Sequence, residues 1–237
     1  MIIIENEEIV GWESAIRGMR NPKNSWNKSD SEFNVSCRVC KSEYYRNKCD
    51  NCLYSDGNIL LGNNDLDLMK RLVKAGTDHR KFMRMIVVYV DVTAPLYWWK
   101  EADTYKVGTV RNSCSTMHKI TEKEFTLDDF SHEHLDMLST DMLTLHIIPI
   151  LNIARSLYIG EGSPARKHDK NDWWQIIQLL PSSYNQRATL MLNYEVLANM
   201  YHSRKNHRLD EWIEFCKWIE TLPYSELITG KGESNVG

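Results

Sequence analysis

The chain has 237 residues, 42% hydrophobic and 26% charged, so it can bury a sizeable core and is not a disordered polymer. With 29 basic against 32 acidic residues the net charge is −3, which excludes a pervasive basic surface of the kind that grips nucleic-acid phosphates. No apolar run approaches the ~18 residues of a bilayer span, and acids follow the opening Met-Ile-Ile-Ile at once, so the expectation is a cytoplasmic protein without a secretory leader.

In chain order, residues 1–4 read as a short first strand. Apolar spacing over residues 5–20 predicts a helix ending before Asn21-Pro22, and the Asn- and Ser-rich stretch 21–36 reads as a loop. Four of the six cysteines then form Cys37-x-x-Cys40 and Cys49-x-x-Cys52. Each short turn presents two sulfurs to one ion, which suits tetrahedral thiolate coordination of a structural zinc; reduced loop thiols are the plainer alternative. The knuckle is expected as an insertion over 30–57 in a single domain spanning 1–237. Asn64 and Asp65 are positioned to cap a helix running to about Ala75, where Gly76 stops it. Residues 85–99 are rich in β-branched and aromatic side chains; the first half reads as the best strand in the chain, ended by Pro95. Trp98 and Trp99 either fill the core or stack on a ligand ring.

Beyond them, 121–135 reads as helix or loop, and 136–159 as helix with Pro149 near a kink. Residues 160–164 read as a linker, and 172–180 as a buried helical turn before Pro181. The longest helical pattern covers 186–219, and the polar tail from Thr229 is expected to fray. Helices dominate and strands are few, so the fold class is α+β, helices around a small antiparallel sheet. His132 and His134 flank Glu133, but i,i+2 spacing does not face one ion on a helix, and they read as solvated. Cys114 stands alone, which favours a small buried apolar group over a reactive thiol.

Two segments carry a resemblance. One is 75–118, where Ala94-Pro95 closes the strand and Leu96-Tyr97-Trp98-Trp99 leads to Thr104-Tyr105-Lys106. The other is 179–213, where Leu180-Pro181, Asn193, Asn199 and Arg204 follow a fixed spacing. Together they resemble the flavin-dependent thymidylate synthases, whose strand ends in Ala-Pro and whose signature reads R-H-R-x-x-S-x-N-E-x-S-x-R-Y. Thr109 stands at the first signature Ser. With one inserted residue, Asn112-Ser113-x-Ser115-x-Met117-His118 overlays the remainder. The departures are clear: Thr104 and Lys106 replace the two arginines, Tyr105 the histidine, Ser113 the glutamate, Met117 the later arginine and His118 the tyrosine. Ile177 replaces a further family arginine.

The resemblance implies an enzyme that reductively methylates dUMP or a related pyrimidine nucleotide. FAD would be its cofactor, with NADPH and methylenetetrahydrofolate as co-substrates, in a homotetramer whose sites lie between subunits. It implies cofactor contacts from His79, Asn193 and Asn199, a phosphate contact from Arg204, and a nucleotide contact from Ser115 at the nucleophile-like position of the signature. Lys106 and Arg111 would replace missing phosphate charges, and Tyr105 would meet a ring. Independently of the family, Asn193 and Arg204 are eleven residues apart in the long helical pattern, about three turns, and so lie on nearly one face. Asn193 and Asn199 read equally well as capping or surface residues, His79 as a surface histidine, and Arg204 as a solvated charge. A non-catalytic nucleotide-binding protein on the same scaffold is the competing expectation, and a zinc-knuckle interaction module a third.

Overall fold

The computed structural model describes residues 1–33, 59–161 and 164–231. Cys37, Cys40, Cys49 and Cys52 lie outside them, as does most of the expected knuckle. Among the described residues no group of three or more His, Cys, Asp or Glu is gathered to hold a metal ion.

Four strands make an antiparallel sheet: β1 (Ile3–Val10), β4 (Val87–Pro95), β6 (Asn185–Asn193) and β5 (Val110–Ser113), in the spatial order β1-β4-β6-β5. A two-residue pair, β2 (Glu32–Phe33) with β3 (Ile59–Leu60), forms a second small sheet. β4 is the central strand. Its Val88, Val90, Val92 and Ala94 alternate inward with Ala188, Leu190 and Leu192 of β6, as the two-residue period of a half-buried strand requires. Against that face pack α1 (Trp12–Arg20), α2 (Asn63–Lys74), α3 (Leu96–Ala102), α7 (Tyr194–Arg204), α8 (Asp210–Thr221) and α9 (Glu226–Thr229), in one continuous core. The opposite face carries Tyr89, Asp91, Arg187 and Thr189. A smaller core joins Phe125 and Phe130 to α5 (Ile148–Ile159) and α6 (Lys170–Leu179).

The α+β expectation holds, and so do the helix of α2, the strand of β4 ending at Pro95, and the helix of α6. Three expectations need correction. The helix expected over 5–20 starts only at Trp12. Residues before it continue β1, bulged between Glu5 and Glu8, because pairing with β4 outweighs a weak helical pattern, and Gly11 at φ +95° turns the chain into α1. The long helix expected over 186–219 is a strand followed by two helices. Arg187, Thr189 and Met191 alternate with Ala188, Leu190 and Leu192, a two-residue period that the helix formers Ala, Leu and Met mask. Finally, α2 is not capped by Asn64 or Asp65. The side chain of Asp30 accepts from both their amides, while Asp65 turns inward.

Helix 137–159 is continuous: α4 (Met137–Met142) widens into a π-turn at Leu143–Ile147 before α5. Pro149 lies in the next turn, where its missing N–H and its ring disturb the i→i−4 ladder, so the π-turn absorbs the expected kink. By length and composition this 23-residue helix, whose most apolar 18-residue stretch has a mean hydropathy of 1.4, could cross a bilayer. This corrects the expectation that no apolar run approaches a span: Asp141, His146 and Arg155 punctuate the helix and break up its apolar sequence. Only 28% of its most apolar stretch is buried, and Leu138, Met142, Leu145, Ile150 and Ile153 form an exposed stripe.

Candidate functional site

The first turn of α3 hangs from the strand end opposite: the amides of Leu96 and Tyr97 donate to Tyr184 O and Ser182 O, each at 3.0 Å. Trp99 Nε1 donates to Gln186 O at 2.9 Å, which pins the helix to β6. Trp98 packs edge-on to Trp99 and tilted against Trp212, with ring centroids 4.8 Å apart in both pairs. The chain leaves α3 at Asp103, turns through Gly108 and returns as β5, where Arg111 pairs with Leu190 of β6. This path encloses a cavity of about 420 Å³ walled by Trp98, Trp99, Tyr105, Lys106, Thr109 and Arg111. Three of its polar atoms, Trp98 Nε1, Thr109 Oγ1 and Arg111 Nε, are buried and have no hydrogen-bond partner. Unsatisfied buried groups are costly and therefore rare, and three around one cavity mark it as a ligand site candidate.

The two arginines at and beside this cavity are already paired. Arg111 lies over the Trp99 ring, its guanidinium carbon 3.9 Å from the centroid. Its Nη1 donates to both oxygens of Asp103, at 2.8 and 2.6 Å, and its Nη2 to Gln186 Oε1. Arg204, the last residue of α7, donates through Nε to the Tyr105 hydroxyl at 3.0 Å and through Nη1 to Glu101 Oε2 at 2.7 Å, and lies 5.0 Å from the Trp212 centroid. The same Glu101 oxygen accepts from Trp212 Nε1 at 3.0 Å. His207 Nδ1 accepts the Leu209 amide, so in the neutral ring Nε2 carries the hydrogen and points it at Glu101 Oε2, 3.3 Å away. Lys106 is exposed and has no acidic partner among the described residues.

Tyr105, Lys106 and Arg111 therefore meet in one cavity, and Arg204 adjoins it through Tyr105. The remaining candidates do not join them. Asn193 is not helical: it is the N-cap of α7, its Oδ1 accepting the Val196 amide at 3.0 Å, so it and Arg204 stand at opposite ends of the helix rather than on one face. Asn199 and His79 are exposed and line neither this cavity nor its neighbour. Ser115 faces a second cavity of about 520 Å³, with Cys114, Lys119, His132, Tyr184 and Arg187. Its hydroxyl accepts the His118 amide at 3.1 Å, a turn contact, and no side-chain base among the described residues bonds it. Cys114, expected buried, is exposed at the rim. Burial raises the Tyr184 phenol above its ordinary pKa, with Asp129 adding to the effect, so it stays neutral there. Gln186 joins the two cavities, its Nε2 donating to Cys114 O at 2.7 Å while its Oε1 takes Arg111.

Sequence reasoning missed Glu101, Asp103, Gln186 and His207. The signal for Gln186 was a polar side chain on the inward face of a strand. For the two acids it was their position immediately before Thr104.

The chain is similar in structure to the flavin-dependent thymidylate synthase ThyX from Helicobacter pylori complexed with FAD and dUMP, at a TM-score of 0.59 and 13% identity over 96% of both chains. A second crystal structure of that enzyme with FAD and dUMP matches at the same TM-score and identity over 96% of this chain and 95% of that one. The fold is that of the flavin-dependent thymidylate synthases. No family model matches the sequence, and no curated protein does.

Proposed function

We propose that this chain is a flavin-dependent thymidylate synthase-like enzyme. It would reductively methylate dUMP or a related pyrimidine nucleotide, with FAD as cofactor and methylenetetrahydrofolate and NADPH as co-substrates. The observation that carries this reading is the likeness over 96% of both chains to a synthase complexed with FAD and dUMP. The aromatic cavity beneath the Gly108 turn fits one planar ring, and its three unpartnered polar atoms offer that ring donors and a hydroxyl. At about 420 Å³ it does not fit a whole dinucleotide. The rest of FAD would need surface from elsewhere, and a second subunit is the natural source, which is why a homotetramer belongs to this reading.

When bound, FAD supplies the hydride chemistry. The chain's own residues bind and orient: Trp98 and Trp99 wall the ring and exclude water, Thr109 and Arg111 answer its polar edge, and Lys106 offers an exposed ammonium to a ligand anion. On their spacing alone, the four cysteines are proposed to hold one structural zinc; metal analysis finding less than about a tenth of an equivalent would remove it. The purified protein should carry flavin absorbance and convert dUMP when given methylenetetrahydrofolate and NADPH. A colourless protein that takes up no added FAD ends the reading. The Arg204–Glu101 and Arg111–Asp103 pairs favour one alternative, a non-catalytic nucleotide-binding protein, for which dUMP would bind without turnover.

A further inference from the structure

We propose that Arg111 tunes the cofactor: the aromatic cavity takes the flavin ring by its acceptor-rich edge, and the guanidinium there favours the reduced, anionic ring over the oxidised one. The inference rests on the cavity being the flavin site of the proposed function. It gives a role to a position, between Thr109 and Asn112, at which the family signature specifies no residue.

The polar atoms left open in the cavity are nearly of one kind. Trp98 Nε1 and Arg111 Nε can only donate, and Thr109 Oγ1 can donate or accept. All three are buried without a partner, so a ligand that leaves them unmet is penalised. One edge of a flavin ring carries two carbonyl oxygens and an N–H, whereas the opposite edge carries only methyl groups. Two donors and a hydroxyl match the first edge and reject the second. A ring that has accepted a hydride, which is two electrons and a proton, carries one negative charge, shared by N1 and the C2 carbonyl on that first edge. Trp98 and Thr109 are neutral and gain little from this change, while a charged donor gains most. Arg111 is fixed for the task. Its Nη1 is held by both oxygens of Asp103, at 2.8 and 2.6 Å, its Nη2 by Gln186 Oε1, and it lies over the Trp99 ring. Asp103 and Gln186 are positioning residues that act through Arg111. Asp103 also offsets part of its charge, but is half-exposed and screened by water. The charged lining of the cavity is Arg111, Lys106 and Asp103, two cations against one carboxylate.

The test is the two-electron midpoint potential of FAD bound to the full chain, read by dye equilibration for the wild type, Arg111→Gln, Arg111→Lys and Asp103→Asn. The potential of bound relative to free flavin reports the ratio of the affinities for the reduced and oxidised ring. Arg111→Gln should cut that ratio about tenfold, the lower end of a charge-assisted hydrogen bond, which for two electrons lowers the potential by about 30 mV. Arg111→Lys should recover part of the loss, because a point charge cannot reproduce the planar fork. Asp103→Asn removes the offsetting charge and should move the potential the other way, upward. Thermal unfolding and the affinity for oxidised FAD check that each variant is folded and loaded. If Arg111→Gln does not fold, the direction of the Asp103→Asn shift decides alone. A loaded Arg111→Gln whose ratio changes by less than about twofold, or a downward shift in Asp103→Asn, overturns this inference and leaves the flavin reading standing. A wild type that takes up no FAD ends the proposed function, and this inference with it.

Discussion

Gly108 is where the signature-like loop turns back into the sheet. It sits at φ +76°, and an added Cβ would stand 2.6 Å from Asn193 Nδ2. Asn193 in turn both caps α7 and reaches the Gly108 carbonyl, so the loop and the helix start share one residue. Gly108→Ala should destabilise the protein by about 1–3 kcal/mol in urea titration, the usual cost of a strained backbone position. An alanine variant as stable as wild type would show that the turn is slack. On the open face of the sheet, the Thr189 hydroxyl, the Asn6 amide and Arg187 hold the Asp91 carboxyl down to about 2. A folded-state pKa below the unfolded value gives stability that is complete above roughly pH 4 and is lost as pH falls towards 2. Asp91→Asn should flatten the stability curve across that window and leave it unchanged at neutral pH in slope. Denaturant midpoints measured at intervals from pH 2 to 6 decide it.

Between elements, the firmest polar tie is Asp65 with Arg20, joining the start of α2 to the end of α1. Both side chains are buried, and the pair closes at 2.6 Å. Burial alone would raise the Asp65 pKa, but hydrogen bonds from Ser31, Ser29, Arg20 and the Asp30 amide outweigh it and hold the carboxyl low. Asp65→Ala should cost about 3–5 kcal/mol, because it strands a buried guanidinium, whereas replacing both partners with apolar residues should cost less. Thermal unfolding of the single and double variants separates the two outcomes. None of this was legible beforehand: Asp65 read as a cap because its neighbours along the chain, and not Arg20, were in view. β4 was legible because valines and a closing proline mark a strand locally. β6 was not, because a strand of Ala, Leu and Met is recognised only by the partners on either side of it. The site divides in the same way. Tyr105, Lys106 and Arg111 lie close together along the chain and meet in one cavity, while the Arg204–Glu101 contact spans 103 residues and leaves no trace in either segment alone.

At the scale of the whole molecule, the unpartnered feature is the helix 137–159. Leu138 is 69% exposed, Leu145 65% and Ile153 60%, along a stripe whose opposite side is fixed on the smaller core by Leu143, Ile148 and Leu151. Exposed apolar faces of this extent mark interaction surfaces. Under the proposed function the partner is a further copy of the chain. Light scattering should therefore give four times the chain mass at micromolar concentration, and Leu145→Glu/Ile153→Glu should yield smaller species with the monomer fold retained by circular dichroism. A wild-type monomer would count against the assembly and against any site shared between subunits.

The sheet order also sets a schedule for synthesis. β4 lies between β1 and β6, and Arg187 of β6 reaches Glu5 of β1 across 182 residues of chain. β6 leaves the ribosome about a hundred residues after β4, and at ~5–20 residues per second that is a wait of roughly 5–20 s. During it, the inward valines of β4 and the tryptophans of α3 have no β6 to cover them. Pairings so distant also fold slowly once the chain is complete. The stretch from Val87 through Trp99 is thus where a nascent chain is most open to aggregation and to chaperones, and the aromatic cavity is among the last parts of the molecule to close.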